Sequence, residues 1–138
     1  MSLSKIEFRK IPIPSIYRNR VVNDIYYVVE NDRSIVMDNF INLNDDEKDI
    51  VKALLINMAT IKNFKSPKII YNLKKYNYGE LKPKPHRFFF FQKCGNNYVL
   101  FSYVMKKKNS LNDEFYKRLN KEKIRYEKEF EKYIQRNR

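Results

Sequence analysis

The sequence is poor in the residues that build metal centres, disulfides and flexible loops. Cys94 is its only cysteine and His86 its only histidine, so an internal disulfide is impossible and a zinc site of cysteine and histidine ligands cannot be completed. We therefore expect no metal and no cofactor. Glycine occurs only at Gly79 and Gly95, where we expect the backbone to need a positive φ or a close approach to a neighbour.

Long apolar runs are also missing. None approaches the roughly 20 residues that span a bilayer. The N-terminus lacks the continuous apolar core of a signal peptide, because charged residues interrupt it, namely Lys5, Glu7, Arg9 and Lys10. The expectation is a cytoplasmic protein that does not bind a membrane. A chain of 138 residues can bury one hydrophobic core, which favours a single domain.

Acidic residues are scarce relative to basic ones. The chain has 29 Lys and Arg against 16 Asp and Glu, a net charge of +13. Attraction to phosphate is long-ranged and additive, so nucleic acid is the favoured partner. The charge is uneven, since residues 21–49 hold eight acids against two bases and residues 82–138 hold sixteen bases against six acids. One surface is expected to face an anion while another repels it.

Apolar periodicity predicts a single α+β domain over residues 21–138. Asn44 and Glu47 form a capping signal before a helix at about 45–62, and Ser34 can cap a shorter helix before it. A small antiparallel sheet is expected from strands at residues 21–29, 78–82, 87–92 and 98–105. We expect N-terminal helices and a long basic C-terminal helix, starting near Ser110, to flank this sheet.

Residues 1–20 precede the predicted domain and have a different character. Pro12 and Pro14 alternate with isoleucines and remove backbone donors that a central strand would need. We expect an extended N-terminal arm or an edge segment here.

Two neighbouring strands carry polar residues at their adjoining ends. Residues 88–91 are four phenylalanines preceded by His86 and Arg87, and the next strand ends in Lys106-Lys107-Lys108. The phenylalanine strand is apolar on both faces and must be covered on both sides. In an antiparallel hairpin the entry of one strand lies beside the exit of the other. The predicted cluster of cations is a cradle suited to phosphate groups.

These residue types can divide the work of metal-free RNA cleavage. That reaction needs a group to take the proton of the 2′-hydroxyl, a cation to stabilise the pentacovalent phosphate and an acid for the leaving oxygen. His86 could act as base or acid, and Arg87 suits the phosphate. The remaining cations could steer RNA or share transition-state charge: Lys82, Lys84, Lys106, Lys107 and Lys108.

Each candidate also has a structural interpretation. His86 could be a hydrogen-bonded surface histidine after Pro85, and Arg87 could pair with Glu80 or with a helix acid. The triple lysine could be a solvated strand exit. The phenylalanines are core residues by default. Tyr98 and Tyr103 could stack on a base, but in a chain with eleven tyrosines a structural role is favoured for any single one.

The order of these motifs resembles the small toxins of bacterial and phage toxin–antitoxin systems, in the RelE/HigB superfamily and especially its phage-derived branch. That family carries a G-x-x-E-L-R strand, a Y/H-R entry to a phenylalanine-rich strand and an F-x-K-K strand end. The corresponding segments here are Tyr78-Gly79-Glu80-Leu81-Lys82, His86-Arg87-Phe88-Phe89-Phe90-Phe91 and Tyr103-Val104-Met105-Lys106-Lys107. With a matching short helix over residues 34–43, the likeness covers about residues 21–130.

The resemblance implies a RelE-like fold and a toxin that cleaves mRNA on the ribosome. A cognate antitoxin, expected to be a helix-turn-helix protein encoded beside it, would neutralise it. The expected catalytic residues are Arg87, His86 and Lys82. Lys82 stands where the family usually has arginine, and lysine keeps the charge without the bidentate fork. Two other classes stay open: a non-catalytic RNA- or ribosome-binding module of phage origin, and an interaction protein whose basic charge aids solubility or packaging.

Overall fold

The computed structural model describes residues 4–73, 75–106 and 112–137. Its strands are β1 Ile6–Lys10, β2 Asp24–Glu30, β3 Ile69–Ile70, β4 Gly79–Leu81, β5 His86–Lys93 and β6 Asn97–Met105. Its α-helices are α1 Ile35–Ile41, α2 Asp45–Thr60 and α3 Asp113–Arg136, and a 3₁₀ helix covers Ser15–Arg20. Within the described ranges the strands form one six-stranded sheet. The predicted α+β class is confirmed.

The sheet is mixed and larger than the antiparallel sheet that we predicted. Its strand order is β1-β2-β6-β5-β4-β3. Strand β2 runs parallel to β6, with Asp24 opposite Asn97 and Tyr27 opposite Leu100, and the other neighbours are antiparallel. The expectation of a wholly antiparallel sheet was therefore wrong. Apolar alternation reports which residues share a face, and it carries no information on the direction of the neighbouring strand.

Part of the expected N-terminal arm belongs to the sheet. Strand β1 pairs antiparallel with β2, with Phe8 opposite Val28. The backbone N–H of Ile11 still donates to the carbonyl of Ile25 at 2.8 Å, and Pro12 then ends the pairing because it has no N–H to donate. Residues 6–10 thus form an edge strand, and the proline segment leaves the sheet after it.

The central strand β5 is covered on both faces, as its composition predicted. Phe88 and Phe90 pack in the cluster under α1 and α2, and Phe89 and Phe91 pack in the cluster under α3. Each of the four is at most 1% exposed. Side chains alternate along a strand, so the run of phenylalanines fills both hydrophobic layers from one strand.

Local signals in the sequence place the helix starts and the glycines. Asn44 and Glu47 form a reciprocal capping box at the start of α2, and the Ser34 side chain accepts a hydrogen bond from the backbone of Met37. A Cβ at Gly79 would lie 2.2 Å from the carbonyl oxygen of Ile70, so only glycine permits β3 and β4 to approach. Asn112 caps α3, and the expected cap Ser110 lies outside the described residues.

One polar cluster joins α3 to the sheet. Arg125 donates two hydrogen bonds, at 2.9 and 3.0 Å, to the carboxylate of Glu30 at the end of β2. The hydroxyl of Tyr126 donates to the same carboxylate at 2.6 Å. The Arg125 hydrogen bonds lower the pKa of Glu30 to about 2, with a smaller contribution from Tyr126 and against the effect of burial. The carboxylate therefore stays ionised over a wide pH range.

We expect this cluster to make the fold acid-sensitive. Because the folded pKa of Glu30 lies below its ordinary value of 4.5, its stabilising contribution is present above pH 4.5 and is lost as the pH falls towards 2. Glu30→Gln should lower the free energy of unfolding at pH 7 by about 1–3 kcal/mol and should weaken the acid dependence. Urea unfolding between pH 7 and 3 measures both effects.

A surface carboxylate provides the control for this measurement. Glu129 faces Lys132 on the same helix at 3.5 Å, and Glu129→Gln should change stability little because exposed ion pairs contribute little. If Glu30→Gln and the parent lose stability equally between pH 7 and 3, the cluster does not carry the acid sensitivity.

Candidate functional site

The entry of β5 lies beside the exit of β6, as the hairpin prediction required. His86 is opposite Met105, and Arg87 is opposite Val104. The backbone N–H of Lys106 donates to the carbonyl of Pro85 at 2.8 Å. The expected adjacency of the polar strand ends is confirmed for these residues, whereas Lys107 and Lys108 lie outside the described residues.

His86 and Arg87 occupy opposite faces of the sheet. Each is only 7% exposed, and strand alternation directs one side chain towards α2 and the other towards α3. Their only direct hydrogen bond among the described residues runs from the Arg87 guanidinium to the backbone carbonyl of His86, at 3.0 Å. The two predicted catalytic side chains therefore do not meet in one groove.

On the α2 face, His86 is held by two hydrogen-bonding partners. Its Nε2 lies 2.9 Å from the Glu47 carboxylate, and its Nδ1 lies 2.7 Å from the Tyr103 hydroxyl. The backbone N–H of Asn44, and after it His86, lower the pKa of Glu47, while burial raises the pKa of Tyr103. An ionised Glu47 accepts a hydrogen bond from Nε2–H, and the Tyr103 hydroxyl is hydrogen-bonded to Nδ1.

This arrangement satisfies the hydrogen-bonding capacity of the His86 ring. Both ring nitrogens are used, one on α2 and one on β6, so the side chain ties the start of α2 to the sheet. His86 is thus hydrogen-bonded but buried, whereas the structural interpretation expected a surface histidine. Tyr103 is a hydrogen-bonding partner that the sequence did not identify.

On the α3 face, Arg87 meets Glu80 of β4. The Arg87 Nε lies 3.9 Å from Glu80 Oε2, and both residues are at least 90% buried. Glu80 Oε2 has no hydrogen-bond partner among the residues that the structure describes. Burial raises the pKa of Glu80, and Arg87, Lys82 and Lys106 oppose this in that order. Arg87 of β5 thus contacts this carboxyl group, and two lysines just beyond the ends of β4 and β6, Lys82 and Lys106, lie near enough for their charges to lower its pKa.

We call Glu80, Lys82, Arg87 and Lys106 the Glu80 cluster. Glu80 is opposite Phe89 in the sheet. Because side chains alternate along a strand, Lys82 lies on the same face as Glu80, and Lys106 lies on the same face as Val104, which is opposite Arg87. Both lysines therefore lie on the face that carries Glu80 and Arg87. Lys82 and Lys106 are partly exposed, and Lys84 is exposed. The cluster therefore has a buried charged pair and a solvent-facing basic rim. Tyr116 of α3 lies close enough that the charges of Glu80 and Arg87 both affect its pKa.

The chemistry of this cluster follows from the burial of its carboxyl group. A carboxyl with a raised pKa exchanges protons closer to neutral pH than an ordinary one. A guanidinium beside it can stabilise negative charge on a phosphate. The pairing of Arg87 with Glu80 was one of the structural interpretations of the sequence. The raised pKa of the Glu80 carboxyl could not be inferred from the sequence.

Among the described residues, no three Asp, Glu, His or Cys side chains are grouped so that they could hold a metal ion. No helix in the described ranges is both long enough and apolar enough to cross a bilayer.

Comparisons with known proteins add no family to this description. No family model, no curated protein and no solved structure matches the chain. The likeness to RelE/HigB toxins therefore rests on the motifs of the sequence.

The raised pKa of Glu80 gives a direct test of the cluster. Because Arg87 is the charge that lowers this pKa most, Arg87→Met should raise it further, and Lys82→Met should raise it less because Lys82 is more exposed. A carboxyl group with a raised pKa stabilises the fold only while it is protonated, so Arg87→Met should also lose stability as the pH rises above about 4.5. A ¹³C NMR titration of the glutamate carboxyls measures the pKa, and an unchanged value in Arg87→Met would contradict the pairing.

Proposed function

We propose that this protein is the toxin of a toxin–antitoxin system and cleaves mRNA on the ribosome without a metal. The observation that carries the proposal is the convergence of Arg87, Lys82 and Lys106 on the buried Glu80 carboxyl, whose pKa is raised. This gives one end of the sheet both a proton acceptor and cations suited to phosphate. The order of motifs shared with RelE/HigB toxins and the net charge of +13 support it further.

The cluster suggests a division of roles in the reaction. Glu80 takes the proton of a ribose 2′-hydroxyl, and the 2′-oxygen attacks the adjacent phosphorus while the bond to the 5′-oxygen breaks. Arg87 stabilises the charge on the phosphate, and Lys82 gives a proton to the departing 5′-oxygen. Lys84 and Lys106 hold neighbouring phosphates, a role in which we also include Lys107 and Lys108 from the sequence. His86 receives no step, because it lies on the opposite face with both nitrogens bonded.

The proposal includes the partners that the resemblance implies. These are mRNA, the ribosome and a cognate antitoxin, a helix-turn-helix protein encoded beside the toxin. An acidic segment of the antitoxin would complement the basic rim formed by Lys82, Lys84 and Lys106.

Induced expression tests the proposal in cells. The parent should arrest growth, and Arg87→Ala should abolish both the arrest and the translation-dependent cuts in mRNA, because the phosphate loses its principal cation. Arg33→Ala is the matched control, since the Arg33 side chain is 84% exposed and lies outside the cluster. Circular dichroism establishes that both variants are folded. A folded Arg87→Ala variant that still cuts mRNA as the parent does would refute the assignment.

A second candidate function is a non-catalytic RNA- or ribosome-binding module. The burial of Glu80 and Arg87 favours it, because their side chains are only 8% and 9% exposed while the lysine rim faces solvent. Such a module binds RNA without growth arrest and without new RNA ends. In either case, replacing Lys82, Lys84 and Lys106 by alanine should reduce the salt slope of RNA binding by about 2, at roughly 0.7 per phosphate contact. The same change at Lys121, Lys128 and Lys132 of α3 is the control.

A further inference from the structure

Lys68, which belongs to none of the sequence motifs, lies beside the Glu80 cluster at the edge of the sheet. It directly precedes β3, and its carbonyl accepts a hydrogen bond from the backbone N–H of Lys82 at 2.7 Å. This hydrogen bond continues the pairing of Ile69 with Leu81 by one residue. Lys68 therefore lies directly opposite Lys82.

Lys82 is in turn opposite Arg87. Strands β4 and β5 pair with Leu81 opposite Phe88, and this register places Lys82 opposite Arg87 one residue further on. The next pair in the register is joined by a backbone hydrogen bond of 2.8 Å, which closes the turn between the two strands. Lys68, Lys82 and Arg87 thus form a row of three cations across neighbouring strands, which we call the cation row.

The side chains of the cation row share the α3 face of the sheet. Side chains alternate along a strand, and the adjacent residues Ile69, Leu81 and Phe88 pack in the cluster under α1 and α2. Neighbouring strands are about 4.8 Å apart, so the row extends about 10 Å from Arg87 to Lys68. Its members are buried at the Arg87 end, partly exposed in the middle and exposed at the Lys68 end.

A row of like charges destabilises the sheet unless an anion lies along it. Like charges directly opposite each other in a sheet are unfavourable. The Glu80 carboxylate compensates the inner end, because it lies 3.9 Å from Arg87. Neither Lys68 nor Lys82 forms an ion pair with any of the described residues. A ligand with negative charge can supply the counter-charge at this exposed end.

The ligand that suits this position is a strand of RNA. The Cβ atoms of directly opposite residues are about 4.5–5.5 Å apart, so the ammonium groups of Lys68 and Lys82 can both donate to one phosphate. The basic rim of Lys82, Lys84 and Lys106 thereby gains a fourth cation. Every nucleotide of a strand carries a negative charge, so successive phosphates can lie beside successive lysines.

We propose that Lys68 is a further RNA-binding residue, which holds a phosphate group together with Lys82. The RNA strand then crosses β4 towards β3 and does not follow helix α3. This inference rests on the proposed function for the identity of the ligand. It concerns binding alone and requires no cleavage.

Removal of one charge tests the position of Lys68. In anisotropy titrations of a labelled oligouridine with the full chain, Lys68→Ala should lower the salt slope by about 0.7 and weaken binding about fivefold at about 0.1 M salt. Lys52→Ala is the matched control, because Lys52 is also exposed but lies on α2, on the other face of the sheet. The control should keep the parent's slope. Equal slopes for the two variants would overturn the proposal.

Charge reversal separates a loss of binding from a loss of folding. Lys68→Glu replaces a like-charge pair with Lys82 by a pair of opposite charges, so it should raise the urea midpoint of unfolding. The same variant should weaken RNA binding more than Lys68→Ala does. A folded Lys68→Glu variant that binds RNA as the parent does, or whose midpoint does not rise, would contradict the placement of Lys68.

RNA binding and growth arrest distinguish this inference from the proposed function. A parent protein that does not arrest growth, but whose RNA binding depends on Lys68, would refute the toxin and support the role of Lys68. A parent that cuts mRNA while Lys68→Ala keeps the full salt slope would support the toxin and overturn the role of Lys68. Binding of a glutamate-rich peptide in place of RNA would also overturn it.

Discussion

The burial of β5 on both faces is the constraint from which the rest of the structure follows. Its four phenylalanines are at most 1% exposed and belong alternately to the two hydrophobic clusters. One strand can fill two layers only if helices cover both sides, which is the arrangement of α1 and α2 on one face and α3 on the other. The glycine at position 79 then permits the close approach of β3 to β4 beside it.

The same burial determines what the polar residues at the entry of β5 can do. A polar or charged group taken out of water needs a partner, and His86 and Arg87 meet this need in different ways. His86 has two well-formed hydrogen bonds, to Glu47 and Tyr103. Arg87 has a looser contact with Glu80, which keeps an unpartnered carboxylate oxygen among the described residues. The incompletely satisfied pair is the better candidate for chemistry, because perturbed groups of this kind are concentrated at functional sites.

Much of the fold could be predicted because its signals are local. The Asn44 capping box, the Gly95 turn and the phenylalanine run each depend on a few consecutive residues. The parallel pairing of β2 with β6 and the docking of β1 could not be predicted, because both depend on long-range packing. At the site, the adjacency of strand ends followed from hairpin geometry. The sequence did not show that Glu47 and Tyr103 are the partners of His86, because three separate elements bring these side chains together.

We propose that the Glu80 cluster cleaves RNA through the 2′-hydroxyl, and the chemical ends of the RNA products distinguish this reaction from others. Purified protein should be added to translating ribosomes, and the RNA fragments analysed by mass spectrometry. The fragments should carry 2′,3′-cyclic phosphate and 5′-hydroxyl ends, and a folded Glu80→Gln variant should not produce them. Fragments with 5′-phosphates, or full activity in a folded Glu80→Gln variant, would contradict the proposal.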